Sequence, residues 1–276
     1  ILLGLGQANS LRAMDIIKPY LGDKNPLIIR QTAMLSLGQI DKPEVMPLLV
    51  PVVRNMDWEI RQAVAVSLGM LGNQESLGLL RGLLKDKHPF VRQAASLAAG
   101  RIDSPALVTA LTSGLKDSHH LVRSAAVMGL ADKINQIPGI AEAIKPLLND
   151  RYWQVRQSAV EALGKVSHPG IDQSLISALK DFSAPVRQAA VTNLGLRVHN
   201  NPQLINPLVD RLKHDSDPWI RQLAAFSLKT VQSSQVESVR PLIQRIVPEV
   251  KVAVLVPGID DFDLRTPGRA LTQDAT

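Results

Sequence analysis

An arginine returns along the chain at near-constant intervals. It stands at Arg30, Arg61, Arg92, Arg123, Arg156, Arg187 and Arg221, with separations of 31, 31, 31, 33, 31 and 34 residues. A period of this size marks one supersecondary unit stacked many times, because a unit that small cannot bury its apolar face alone. The surroundings recur as well, most completely in Asp86-Lys87-His88-Pro89-Phe90-Val91-Arg92-Gln93-Ala94-Ala95. The repeat predicts an all-α solenoid. Seven full two-helix units are expected at about 10–40, 41–71, 72–102, 103–133, 134–166, 167–199 and 200–232, with a partial unit at each end. The array spans 1–248, its last helix covers 235–247, and residues 249–276 form an extended or flexible tail.

Each unit reads as a first helix, a turn carrying Asp, a second helix carrying the Arg, and a short loop. In the third unit the helices are expected at Gln74–Lys85 and Pro89–Arg101. Pro89 and Pro218 fall in a first turn, where the missing N–H would be unbonded anyway. Gly38, Gly69, Gly100, Gly164 and Gly195 each lie eight residues after their arginine and are expected to close the helix in a left-handed conformation. At 100° per residue, positions −1, +3 and +7 from the arginine form one apolar seam, as in Val91, Ala95, Ala99 and Val155, Ala159, Leu163.

Composition narrows the function classes. Hydrophobic residues are 45% of the 276 and aromatics only 3%, so the core must be aliphatic and alanine-rich. There is no cysteine, which excludes disulfides, thiolate metal sites and cysteine catalysis and is compatible with a cytoplasmic location. The net charge of +6 invites a nucleic-acid reading, but seven of the 31 basic residues are the repeat arginines, and no block of like charge appears. No apolar run reaches the ~18 residues of a membrane span, and no signal peptide opens the chain. The lack of an initial Met, and the repeat-like end Leu3-Gly4-Leu5-Gly6, suggest a piece of a longer protein.

The pattern Asp-x-x-Pro-x-Val-Arg-x-x-Ala-x-x-x-Leu-Gly resembles HEAT repeats, specifically the short HEAT-like units of the phycobilisome-lyase type, over about residues 1–232. The resemblance implies a right-handed superhelix with first helices on the convex side and second helices on the concave side. It also implies a ladder within and between units, built from Asp86 and Arg92, Asp117 and Arg123, Asp150 and Arg156, Asp181 and Arg187, and Asp215 and Arg221. The first two units depart from it: Asp23 sits seven before Arg30, and Asn55 stands where an acid is expected before Arg61.

Positions −2, +1 and +5 oppose the seam. They read Ile28, Gln31, Leu35; Glu59, Gln62, Val66; Phe90, Gln93, Leu97; Leu121, Ser124, Met128; Gln154, Gln157, Glu161; Pro185, Gln188, Thr192; Trp219, Gln222, Phe226. The stripe holds no Lys or Arg, the opposite of a phosphate-gripping groove. It is largely apolar where water is expected, as interfaces are, and its glutamines can bond a backbone. The leading expectation is a non-catalytic scaffold that binds another protein or peptide segment through Leu35, Val66, Phe90, Gln93, Leu97, Leu121, Met128, Trp219 and Phe226. One alternative is that the chain covers the stripe itself, for example with the β-branched segment Pro248–Pro257. Another, from the resemblance, is a phycobilin lyase or chromophore-handling protein; a DNA-binding HEAT-like protein is disfavoured by the uncharged stripe.

No catalytic residues, cofactor or metal are expected. His88, His119 and His120 read as solvated turn residues, and no His-Glu dipeptide of the iron-binding HEAT-like hydroxylases occurs. Trp58, Trp153 and Trp219 are read as capping the starts of second helices in preference to stacking a base or tetrapyrrole.

Overall fold

The computed structural model describes residues 1–166 and 169–247; the predicted tail and the segment Pro248–Pro257 lie outside the described residues. The described chain is all-helical. After α1 (Leu2–Gln7) come seven pairs: α2 (Leu11–Ile17) and α3 (Leu27–Gly38); α4 (Met46–Leu49) and α5 (Trp58–Leu71); α6 (Ser76–Leu83) and α7 (Pro89–Gly100); α8 (Pro105–Gly114) and α9 (His120–Ala131); α10 (Ile140–Ile144) and α11 (Trp153–Leu163); α12 (Pro169–Ala178) and α13 (Ala184–Gly195); α14 (Ile205–His214) and α15 (Pro218–Leu228). Two short helices, α16 (Ser234–Glu237) and α17 (Arg240–Ile246), follow. The expected single helix over 235–247 is therefore two. Pro241 has no N–H to offer the Glu237 carbonyl, so one continuous helix would lose that bond, whereas the first turn of α17 tolerates it.

Proline also shapes the first helices. In the first, second and fifth units they run on into 3₁₀ segments, Lys18–Leu21, Val50–Arg54 and Lys145–Asn149, each with a proline at its second position. The second helices, which carry no internal proline, are regular over 11 to 14 residues.

Burial follows the seam. Val91, Ala95 and Ala99 are fully enclosed, as are Ile60, Val64, Leu68 and Val155, Ala159, Leu163. One continuous aliphatic cluster runs from Ala13 to Ile243, each hairpin hiding its apolar side on the next.

The repeat glycines do a different job from the expected one. Among the described residues only Gly72 and Gly139 are left-handed glycines. Gly38, Gly69, Gly100, Gly164 and Gly195 keep ordinary helical backbone and sit where consecutive second helices nearly touch. A Cβ on Gly100 would lie 2.5 Å from Gly129 Cα, and one on Gly38 would lie 2.6 Å from Ser67 Cα. The small residues they meet, Ser67, Ala98, Gly129, Asn193 and Ser227, each stand six after the next arginine. Second helices therefore pack densely along the whole array, whereas neighbouring first helices meet only sparsely. Stacking one row more closely than the other bends the array toward the tight row, which puts the second helices on the inner side.

Basic residues close the C-terminal ends of three of these helices. Lys133 Nζ donates to Gly100 O at 3.0 Å, Arg197 to the Gly164 and Val166 carbonyls, and Arg240 to the Lys229 and Val231 carbonyls. Each places a cation from the following unit at the negative end of a helix dipole.

Candidate functional site: the ladder and the inner face

Arginine and aspartate alternate along the turn side. Arg61 donates through Nε to Asp86 Oδ2 at 2.7 Å and through Nη2 to Asp86 Oδ1 at 2.8 Å. Arg92 with Asp117 and Arg123 with Asp150 have the same two distances. Arg156 with Asp181 gives 2.6 and 2.8 Å, and Arg187 with Asp215 gives 2.9 Å twice. Each bidentate pair thus joins one unit's arginine to the next unit's aspartate. Within a unit the link is to backbone: Nη1 donates to the carbonyl six residues earlier, as from Arg92 to Asp86 O at 2.8 Å. The aspartate also ties its own turn, Asp86 Oδ1 accepting from His88 N at 2.8 Å and Asp150 Oδ1 from Tyr152 N at 2.9 Å.

Burial alone would push Asp86, Asp117, Asp150, Asp181 and Asp215 up. The facing guanidinium and the turn N–H outweigh it and hold all five below the ordinary carboxylate range. Hydrogen bonding to the carboxylate raises Arg61, Arg92, Arg156 and Arg187. These arginines are consumed in holding unit to unit.

The Asn55 departure has a graded effect. Its Oδ1 still accepts from Asp57 N at 2.9 Å, and its carbonyl still accepts from Arg61 Nη1 at 2.8 Å. A neutral amide cannot take the bidentate role toward Arg30. That arginine instead pairs through Nη2 with Asp23 Oδ1 at 2.5 Å and donates through Nη1 to Asp57 Oδ2 at 3.2 Å, and its buried Nε makes no hydrogen bond.

None of the 21 stripe positions belongs to the buried core. Leu35, Val66, Phe90, Gln93 and Leu121 are half-buried. Leu97, Met128, Trp219 and Phe226 are exposed, by 38%, 43%, 53% and 56%. The middle of the stripe is polar. Gln157 Nε2 donates to Glu161 Oε1 at 2.7 Å, and crowding by surrounding protein pushes the Glu161 carboxyl up.

The histidines are less solvated than expected. Their rings form a row along the start of the second helices. Trp58 stacks on His88 at 4.0 Å, Phe90 lies 5.4 Å from both and meets His119 edge-on at 6.0 Å, His119 stacks on His120 at 4.8 Å, and His120 on Tyr152 at 4.1 Å. Arg151 lies over the Tyr152 ring at 4.8 Å. Burial, followed by the nearby charges of His119 and Arg123, pushes His120 down. Sequence reading missed this row because its members come from four units and meet only on stacking. The signal available was that His88 and His119 share one turn position, two residues after their aspartates. Trp58 and Trp153 begin α5 and α11, and Trp219 is the second residue of α15. Among the described residues no three of His, Asp or Glu converge to hold a metal, and no helix is long and apolar enough to cross a membrane.

A stacked array of two-helix units with an inter-unit Arg–Asp ladder is the architecture of a helical repeat protein. The chain belongs to the HEAT-repeat family, which it matches over residues 46–131, 140–229 and 172–249. Two solved structures share the fold. The Escherichia coli protein YibA superposes with a TM-score of 0.64 at 20% identity, covering 91% of this chain and 96% of that one. The complex of CpcE and CpcF of phycocyanin lyase from Nostoc sp. PCC7120 superposes with a TM-score of 0.52 at 18% identity, covering 84% of this chain and 94% of that one. No curated protein sequence matches the chain.

Proposed function

We propose that the protein is a non-catalytic scaffold that holds another protein, or a peptide segment of one, against the inner face of the array. The observation that carries this reading is the apolar row on the second helices, open at Leu97, Met128, Trp219 and Phe226 and free of Lys and Arg at all 21 positions. Apolar surface of this extent costs free energy in water unless a partner covers it. Gln31, Gln62, Gln93, Gln188 and Gln222 run beside it, and none makes a side-chain hydrogen bond within the described residues. Such amides can bond the main chain of an extended or helical segment, while the apolar positions take alternate side chains. The uncharged row argues against a nucleic-acid backbone as the ligand.

The test is affinity capture with the double variants Phe90→Glu/Leu121→Glu and Leu97→Glu/Met128→Glu, each checked for an unchanged melting curve. Loss of a protein captured by the wild type is expected from both. The second pair matters because the Phe90 ring also packs on Trp58 and His119. Retention of every partner by folded variants would defeat the proposal.

A second reading, chromophore handling, is favoured by the fold likeness to the phycocyanin lyase complex. Mixing the protein with a bilin and an apo-phycobiliprotein separates the two. The scaffold reading expects an unchanged absorption spectrum, and a shifted spectrum would transfer the assignment to the lyase class.

A further inference from the structure

The ladder leaves a second set of charges unused. In the third to sixth units the turns span 85–90, 116–121, 149–154 and 180–185. Their only acids are Asp86, Asp117, Asp150 and Asp181, and each is forked by the arginine of the preceding unit. Acid and arginine cancel rung by rung. Lys85, Lys87, Lys116, Arg151 and Lys180 remain, all exposed, and none makes an ion pair or a side-chain hydrogen bond within the described residues. Five uncancelled cations on one edge compare with a net charge of +6 for the whole chain. The next acids in the turns lie outside this run, Asp57 and Glu59 on one side and Asp217 on the other. On the opposite edge the cations are engaged: Lys133 and Arg197 hold helix ends, and Lys165 pairs with Asp132.

The same edge presents aromatic rings to water. Phe182 directly follows Asp181 and is 84% exposed, with Arg156 Cζ over its ring at 4.4 Å from the centroid. Arg156 is fixed by its fork on Asp181, so it backs one face of the ring and leaves the other open. Trp153, 39% exposed, stands two residues after Arg151. The rings from Trp58 to Tyr152 stack on one another and so form a stiff backing, not a stacking surface for a ligand. Successive units stand apart by about the 8–10 Å of packed helices, so the cations run along about 24–30 Å.

A strand of regularly spaced negative charges fits such a run, and flat groups carried on that strand fit Phe182 and Trp153. Single-stranded nucleic acid supplies both, whereas an acidic peptide supplies the charges alone. We propose that the turn edge of the third to sixth units binds single-stranded nucleic acid, with phosphates on Lys85, Lys87, Lys116, Arg151 and Lys180 and a base on the open face of Phe182. This surface lies beside the inner row, which holds no Lys or Arg, and stands whether or not that row binds a protein.

The test is fluorescence anisotropy with three labelled probes: a short oligothymidylate, an abasic strand of equal length, and an oligoglutamate of equal charge. Oligothymidylate should bind most tightly, its association constant falling with salt at a log–log slope of about −3.5, from five contacts at about −0.7 each. Lys85→Ala/Lys87→Ala and Lys116→Ala/Lys180→Ala should each reduce that slope to about −2.1 and weaken all three probes. Phe182→Ala should weaken oligothymidylate by about 5- to 150-fold, the usual worth of one stacked base, and leave the abasic strand unmoved. Phe182→Trp should restore binding. Lys42→Ala/Arg101→Ala, in loops of the opposite edge, should change nothing, and every variant is checked for an unchanged melting curve. Absence of oligothymidylate binding, or binding indifferent to the turn-edge pairs, overturns the inference. So does equal binding of the three probes with Phe182→Ala neutral, which would make the edge a site for acidic protein segments.

Discussion

At Asn55 a single missing charge leaves Arg30 without a bidentate partner and with a buried, unbonded Nε, while every duty that an amide can perform is still performed. The rung therefore divides into a neutral part, the turn bonds, and an ionic part, the fork. Asn55→Asp should restore the ionic part and raise the denaturation midpoint, with a gain of about 0.5–2 kcal/mol, typical of a repaired local defect. Asp150→Ala should do the reverse. Its partner Arg123 is only 10% exposed and Asp150 8%, so removing the acid strands a buried charge at a cost of about 3–5 kcal/mol. Chemical denaturation of the two variants beside the wild type checks both signs. The spacing of acid and arginine was visible in sequence. Which acid serves which arginine was not, because the fork closes across 25 to 28 residues, onto the next unit and not onto its own turn.

At the scale of the helix, glycine carries most of the information. Eight residues after an arginine, its absent side chain lets two helix backbones approach. On the first helix α6, nothing lies within 4 Å of where a Cβ on Gly78 would be. The two sites therefore predict opposite outcomes for one substitution. Gly100→Ala must displace the Gly129 backbone and should lower the melting temperature, since overpacking costs about 1–3 kcal/mol. Gly78→Ala should raise it, because a mid-helix glycine is about 0.5–1 kcal/mol worse than alanine. Thermal melts of the two proteins decide it. Equal destabilisation would show that the close approach is not what Gly100 provides. The glycine period was legible, but its purpose was not, since a helix end and a helix crossing are both satisfied by a residue without a Cβ.

Across the whole molecule the ladder links stability to pH. Asp86, Asp117, Asp150, Asp181 and Asp215 all have folded values below that of an unfolded carboxylate, about 3.9. Their contribution is complete above that value and is lost as pH falls through the depressed folded values, because the unfolded chain then binds more protons. His120, pushed down chiefly by burial in the ring row, acts with the same sign at higher pH: its contribution is complete above the ordinary imidazole value of about 6.5 and declines as pH falls below it. Melting temperature against pH should therefore be flat near neutrality, sag slightly below pH 6.5 and drop steeply below about pH 4. A curve that stays level down to pH 3 would show that the carboxylates are not stabilised by their arginines. The curvature that makes an inner face has its origin at this scale too, in the unequal closeness of the two helix rows.

By itself the sequence determined the repeating hairpin, the aliphatic seam, the spacing of the acids and arginines and the chemical character of the stripe. These depend on periodicity within a unit, and helical geometry converts periodicity directly into faces. Only the tertiary structure decided that the forks cross between units, that the repeat glycines sit at helix contacts, and that Trp58, His88, Phe90, His119, His120 and Tyr152 form one row. Each of those is a relation between neighbouring units, set by how closely their backbones pack, a distance that no spacing along a single chain encodes.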